Sequence, residues 1–158
     1  MRLEGVREFA APREVVWSVI DDPAQMAGLM PGVEGFELLD DRHWQANVKV
    51  PLGLGGLRMT ISFERLEERA PEFAALSAKG RGVGALLNMT TSFTLTARDS
   101  QTAMAWEADV AIAGPVGSMG QRVLQPIVRQ QVANVLAALE SKVAEADAPA
   151  TTEPTAKP

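Results

Sequence analysis

Along most of this chain the apolar residues fall on every second position, the period of a strand with one buried face. Trp44, Ala46, Val48 and Val50 alternate with Gln45, Asn47 and Lys49. Leu57, Met59, Ile61 and Phe63 alternate with Arg58, Thr60, Ser62 and Glu64. The pattern recurs in Met89, Phe93 and Leu95 against Thr90, Ser92 and Thr94, and again in Met104, Trp106, Val110 and Ile112 against Glu107 and Asp109. Residues 33–39 and a weaker stretch, 73–79 with Leu76 inward, complete six strands, and an opening strand covers 3–9. Helical spacing interrupts this pattern in two regions. Pro12 leads into a short helix at Arg13, because the N–H that proline lacks has no partner in a first turn. Asp22-Pro23 ends it, since the residue before proline avoids the helical region, and a second short helix carries Gln25 to Leu29. After Gly114-Pro115, the recurrence of Val116, Met119, Val123, Ile127, Val135 and Leu139 predicts one long amphipathic helix from 116 to about 143, kinked at Pro126.

A seven-stranded antiparallel sheet must cover its apolar face, and the last helix is the element able to do so. The expected class is α+β with a helix-grip arrangement: the sheet wraps around the long C-terminal helix, and two short helices follow the first strand. Residues 1–145 form that domain, and 146–158, small, polar and proline-rich, are expected to be a disordered tail. The inward positions mix small residues (Ala46, Ala78, Thr91, Ala108) with large flexible ones (Met59, Met89, Met104, Trp44, Trp106). Such a mixture either closes into a plain core or leaves an elongated apolar cavity under the helix, and spacing does not decide between them.

Composition narrows the chemistry. The 158 residues suit one domain, and a net charge of −5 with a pI near 4.9 gives no electrostatic footprint for nucleic acid. With no cysteine there are no disulfides, thiolate nucleophiles, iron–sulfur clusters or cysteine zinc sites. Histidine occurs once, as His43 beside a turn, where a solvent-facing or locally bonded ring is expected, and tyrosine is absent. The pairs Asp21-Asp22 and Asp40-Asp41 adjoin a helix end and a turn and are expected to serve the local backbone, so no metal site is expected. Gly80-Arg81-Gly82-Val83-Gly84 has neither a following helix start nor a Lys-Ser/Thr ending, which points to a hairpin or bulge rather than a phosphate loop. The first residues form no signal core and no apolar run reaches the roughly 20 residues of a membrane span, so a cytoplasmic protein is expected.

Residues 51–57 form a loop that is at once glycine-rich and apolar; Leu52 and Leu54, with Leu29, are expected to edge the mouth of any pocket. Arg122 and Arg129 lie in the acid-free stretch between Asp109 and Glu140, either as a docking face for an acidic partner or as a solvated helix face.

Leu3-Glu4-Gly5 leading to Phe9, then Pro12, Val16-Trp17, Asp22-Pro23 and Pro31-Gly32, then the Lys79–Gly84 hairpin and the long last helix, make up a pattern over about residues 1–145. It resembles the CoxG family of carbon monoxide dehydrogenase proteins, within the START-like, polyketide-cyclase-like (SRPBCC) superfamily and its helix-grip fold. Trp17 and Asp22-Pro23 are features of the superfamily; the Leu-x-Gly opening and Pro31-Gly32 favour CoxG. The resemblance implies a non-enzymatic accessory of a molybdenum CO dehydrogenase or related molybdenum hydroxylase. Such a protein binds a prenyl quinone, menaquinone or ubiquinone, and couples the enzyme to the inner face of the cytoplasmic membrane or the respiratory chain. The cavity residues expected on this basis are Trp17, Met26, Met30, Trp44, Val48, Met59, Ile61, Phe63, Met89, Phe93, Trp106, Val110, Val123 and Ile127. Two other readings stand beside it: a cyclase- or hydratase-type enzyme, which needs a polar cluster in the cavity, and a docking module with a closed core.

Overall fold

The computed structural model describes residues 1–52 and 55–148. Seven strands form one antiparallel sheet: β1 (Arg2–Phe9), β2 (Val33–Leu38), β3 (His43–Leu52), β4 (Gly55–Arg69), β5 (Phe73–Gly82), β6 (Ala85–Arg98) and β7 (Gln101–Ala113). Their order across the sheet is β1-β7-β6-β5-β4-β3-β2, so from β2 to β7 each strand lies beside its sequence neighbour and only β1 joins from afar. Helices α1 (Arg13–Ile20) and α2 (Pro23–Ala27) carry the chain from β1 at one edge to β2 at the other, and α3 (Gln121–Asp147) lies along the concave face. This is the helix-grip fold that the alternating pattern requires. Asp22 caps α2 by accepting the Ala24 N–H at 3.0 Å, and Pro23 opens that helix, which therefore begins two residues before the predicted Gln25.

The last helix differs from the sequence expectation in its start and its phase. Residues 117–119 form a separate 3-10 turn, pinned where the Val116 N–H donates to the Gly84 carbonyl at 2.8 Å, and Gly120 breaks the helix with a φ of 89°. The helix starts afresh at Gln121, and its inward stripe is Leu124, Ile127, Val128, Gln131, Val132, Val135, Leu136, Leu139 and Val143. Met119 and Val123, placed on that stripe by spacing, are exposed instead. The helix runs through Pro126 without interruption and continues to Asp147, so residues 146 and 147 are helical; the tail beyond 148 lies outside the described residues. On β1, Arg7 bonds Glu140 of α3 at 2.5 Å and ties the helix to that edge of the sheet.

One end of the space between sheet and helix is solid. Val16, Val19, Leu95, Met104, Leu139 and Val143, all fully buried, pack there with Trp17 and Leu29. Thr102 is the one buried polar residue among those described, and its hydroxyl donates to the Ala11 carbonyl at 2.7 Å, so its burial leaves no unmet hydrogen bond.

Where α1 meets β4, the Asp21 side chain does not serve the local backbone, as its place at a helix end suggests. It accepts from the Arg65 guanidinium at 2.9 Å, and Arg65 also reaches Glu68 at 2.9 Å and lies over the Trp44 ring. Burial, then the neighbouring Glu68 carboxylate, raises the Asp21 pKa from 3.8 to about 6 against the pull of Arg65. Sharing a proton with Asp21 holds Glu68 below its ordinary 4.5. A raised carboxyl pKa contributes stability that is complete below 3.8 and lost as pH rises through about 6, whereas the Glu68 contribution is present above 4.5 and lost at lower pH. Asp21→Asn is therefore expected to flatten the fall in stability between pH 4.5 and about 6. Thermal melts across that window check it; parallel curves for the two proteins would refute the role of Asp21.

Candidate functional site

Beyond the packed end, the small inward residues leave a cavity of about 300 Å³ between the sheet and α3. Its floor follows directly from the two-residue period. Trp44, Val48 and Val50 come from β3, Leu57, Met59, Ile61 and Phe63 from β4, Met89, Thr91 and Phe93 from β6, and Trp106, Ala108, Val110 and Ile112 from β7. Its roof is the α3 stripe from Leu124 to Leu136, and Met26, Met30 and Pro31 close one side. The inward residues here enclose space instead of closing into a plain core: Ala108 sits opposite Thr91 in the strand register, both line the cavity, and larger residues there would fill the gap.

Twelve of the fourteen expected lining residues are there: Met26, Met30, Trp44, Val48, Met59, Ile61, Phe63, Met89, Phe93, Trp106, Val110 and Ile127. Two are not. Trp17 points from α1 into the packed end, because the apolar face of that helix meets α3 and not the cavity. Val123 is 44% exposed, a consequence of the restart of the helix at Gly120, and Leu124 takes its place. Leu29 is also buried in the packed core rather than at a mouth. Leu52 pairs with Gly55 at the β3–β4 turn but its side chain, like the whole of Leu54, lies outside the described residues. Arg122 and Arg129 are exposed and make no ion pair among the described residues.

Two aromatic arrangements shape the walls. Trp44 and Phe63, cross-strand partners, stack at 5.9 Å with 11° between their planes. Trp106 lies across Gly5, its partner on β1: a Cβ built on Gly5 would come within 2.9 Å of the indole ring. The glycine of the Leu-x-Gly opening thus has a physical task, which is to let a tryptophan lie flat against the β1 backbone.

Exposed apolar residues that spacing alone does not reveal fall in and beside the β5–β6 turn and near the start of α3. Val83, 91% exposed in the β5–β6 turn, is accompanied by Leu86, Met119 and Val123, all exposed. Gly84, with a φ of 79°, completes that two-residue turn and confirms the hairpin reading of the glycine run. His43 bonds Asp40 at 2.9 Å in an exposed turn on β3, as expected, and plays no part in the cavity. Among the described residues no cluster of histidine and carboxylate side chains suits a metal ion.

Chemically the cavity is sparse. Its described lining contains no titratable side chain, and besides the indole N–H groups of Trp44 and Trp106 its polar groups are those of Thr91 and Gln131. Gln131 is absent from the residues expected to line the cavity, although its position four residues after Ile127 and four before Val135 places it on the inward stripe. No helix among the described residues is long and apolar enough to cross a membrane.

Comparison with known proteins accords with this geometry. A protein from Geobacillus kaustophilus superposes with a TM-score of 0.85 at 20% identity, covering 92% of this chain and 96% of that one. A START superfamily protein from Mycobacterium smegmatis gives 0.69 at 16% identity, covering 91% and 97%. The Zhui aromatase/cyclase from Streptomyces sp. R1128 gives 0.70 at 17% identity, covering 92% and 94%. At such identities these establish the fold. A comparison with curated proteins finds no match. The family model for CoxG, a subunit of carbon monoxide dehydrogenase, matches residues 5–144, nearly the whole of the sheet and helix just described, and the chain belongs to that family.

Proposed function

We propose that this protein is a non-enzymatic carrier that holds a prenyl quinone in the cavity and passes it between the membrane and a molybdenum CO dehydrogenase or related hydroxylase. The observation that carries the reading is the lining: apolar side chains along its length, flexible methionines among them, and a few polar groups, all neutral. A polyprenyl chain gains from such walls through burial of apolar surface, roughly 0.8 kcal/mol per CH₂. Either menaquinone or ubiquinone meets that requirement. A catalyst for cyclisation or hydration would need a group to move protons at the reacting atom, and the described lining supplies none. The exposed Val83 of the β5–β6 turn, with Met119 and Val123 near the start of α3, suits contact with a bilayer surface. Arg122 and Arg129, exposed on the following turns, suit an acidic partner or anionic headgroups.

The test is organic extraction and native mass spectrometry of the purified protein, followed by titration with a short-chain prenyl naphthoquinone. Co-purified quinone, or saturable quenching of tryptophan fluorescence, is the expected result, since Trp44 and Trp106 border the cavity. An empty protein whose fluorescence responds only linearly to quinone would overturn the carrier reading in favour of a docking module.

A further inference from the structure

In an apolar cavity, a neutral polar group without a partner marks the place where a ligand must supply one. Gln131 is such a group. Its neighbour Gln130 points outward and bonds Asn134 at 3.0 Å, whereas Gln131 lines the cavity and its side chain makes no hydrogen bond among the described residues.

Packing on either side fixes its level. Val128, one turn earlier, packs on the group formed by Leu3, Ala108 and Val110, and Val135, one turn later, packs on the buried core group that Phe93 and Trp106 also border. Gln131 therefore lies over the middle of the floor, where β7 passes from Ala108 to Trp106. Thr91 occupies that level on β6, paired with Ala108. Its hydroxyl donates to the Glu107 carbonyl at 2.7 Å, so only its lone pairs remain to be offered. An amide both donates and accepts; the threonine, with its proton committed, accepts only.

Building on the carrier reading, we propose that Gln131 is the specificity-determining contact of the cavity. Its amide binds a ring oxygen of a neutral carbonyl-bearing ligand, and Thr91 accepts from the hydroxyl of the reduced form. The oxidised ligand receives a hydrogen bond from Nε2 of Gln131. The reduced ligand donates to Oε1 of Gln131 or to Oγ1 of Thr91, so both redox states of a quinone are accommodated without rearranging the walls.

The experiment compares two probes by isothermal titration calorimetry: 2-methyl-3-geranyl-1,4-naphthoquinone and its carbonyl-free counterpart, 2-methyl-3-geranylnaphthalene. Gln131→Met keeps the length and helical preference of the side chain while removing its donor and acceptor. The expected result is about a tenfold loss of quinone affinity, equivalent to about 1.4 kcal/mol, with the hydrocarbon bound as tightly as by the wild type. Equal quinone affinity in both proteins overturns the assignment, and so does a parallel loss for both probes, which would mean a damaged cavity. If the wild type binds neither probe, the carrier reading itself fails and takes this assignment with it.

Discussion

Ala108→Phe is expected to abolish quinone binding, with a loss of at least about a hundredfold, while leaving the fold intact. Ala108 is buried on the floor between Leu3 of β1 and Thr91 of β6, and the space above its methyl group is the cavity. A phenyl ring there occupies volume that is empty in the folded protein, so it avoids most of the roughly 1–3 kcal/mol that overpacking a filled core costs. The measurement is a quinone titration beside a thermal melt of the same sample. A variant that melts within a few degrees of the wild type and no longer binds supports the site. Undiminished binding would place the ligand elsewhere on the molecule.

The second large effect concerns Trp106 and Gly5. Trp106→Ala removes a half-buried ring from the cavity wall and is expected to cost about 3–5 kcal/mol, enough to lower the melting temperature by about 10 °C. Gly5→Val drives a side chain into the space of that ring, at the 2.9 Å approach of a Cβ to the indole, and is expected to destabilise the protein and to push the ring into the cavity. The two changes act on one contact, so they should not add. With the indole gone, valine at position 5 meets open space, and the double variant should be little less stable than Trp106→Ala alone. Additive losses in that double-mutant cycle would show that Gly5 and Trp106 act independently.

These contacts show how far the sequence can be read. The floor of the cavity is legible because a strand repeats every two residues. Once Trp44, Val48, Met59, Ile61 and Phe63 alternate with polar partners, their shared face follows from local geometry, and all five line the cavity. The helix is less legible for a reason of phase. A helical stripe extrapolated from Val116 assumes unbroken helix, but Gly120 and the hydrogen bond from Val116 to Gly84 reset the start, and with it the exposure of Met119 and Val123. Trp17 falls outside the cavity for a different reason: its burial is local to the helical pattern, but which side of the core it enters depends on where α3 lies.

What the sequence determined by itself is the order of strands and helices, the apolar face of the sheet, the poverty of acid–base chemistry and the family. All of these rest on short-range periodicity, composition and motif. What only the tertiary structure decided is that the inward residues enclose space instead of filling it, that Trp106 lies across Gly5, and that Gln131 and Thr91 both line that space. Those facts depend on how closely α3 approaches the curved sheet. That distance depends on contacts between residues far apart in the chain, such as Leu139 and Val143 of α3 in the buried group with Leu95 and Met104 of the sheet, which no local pattern encodes.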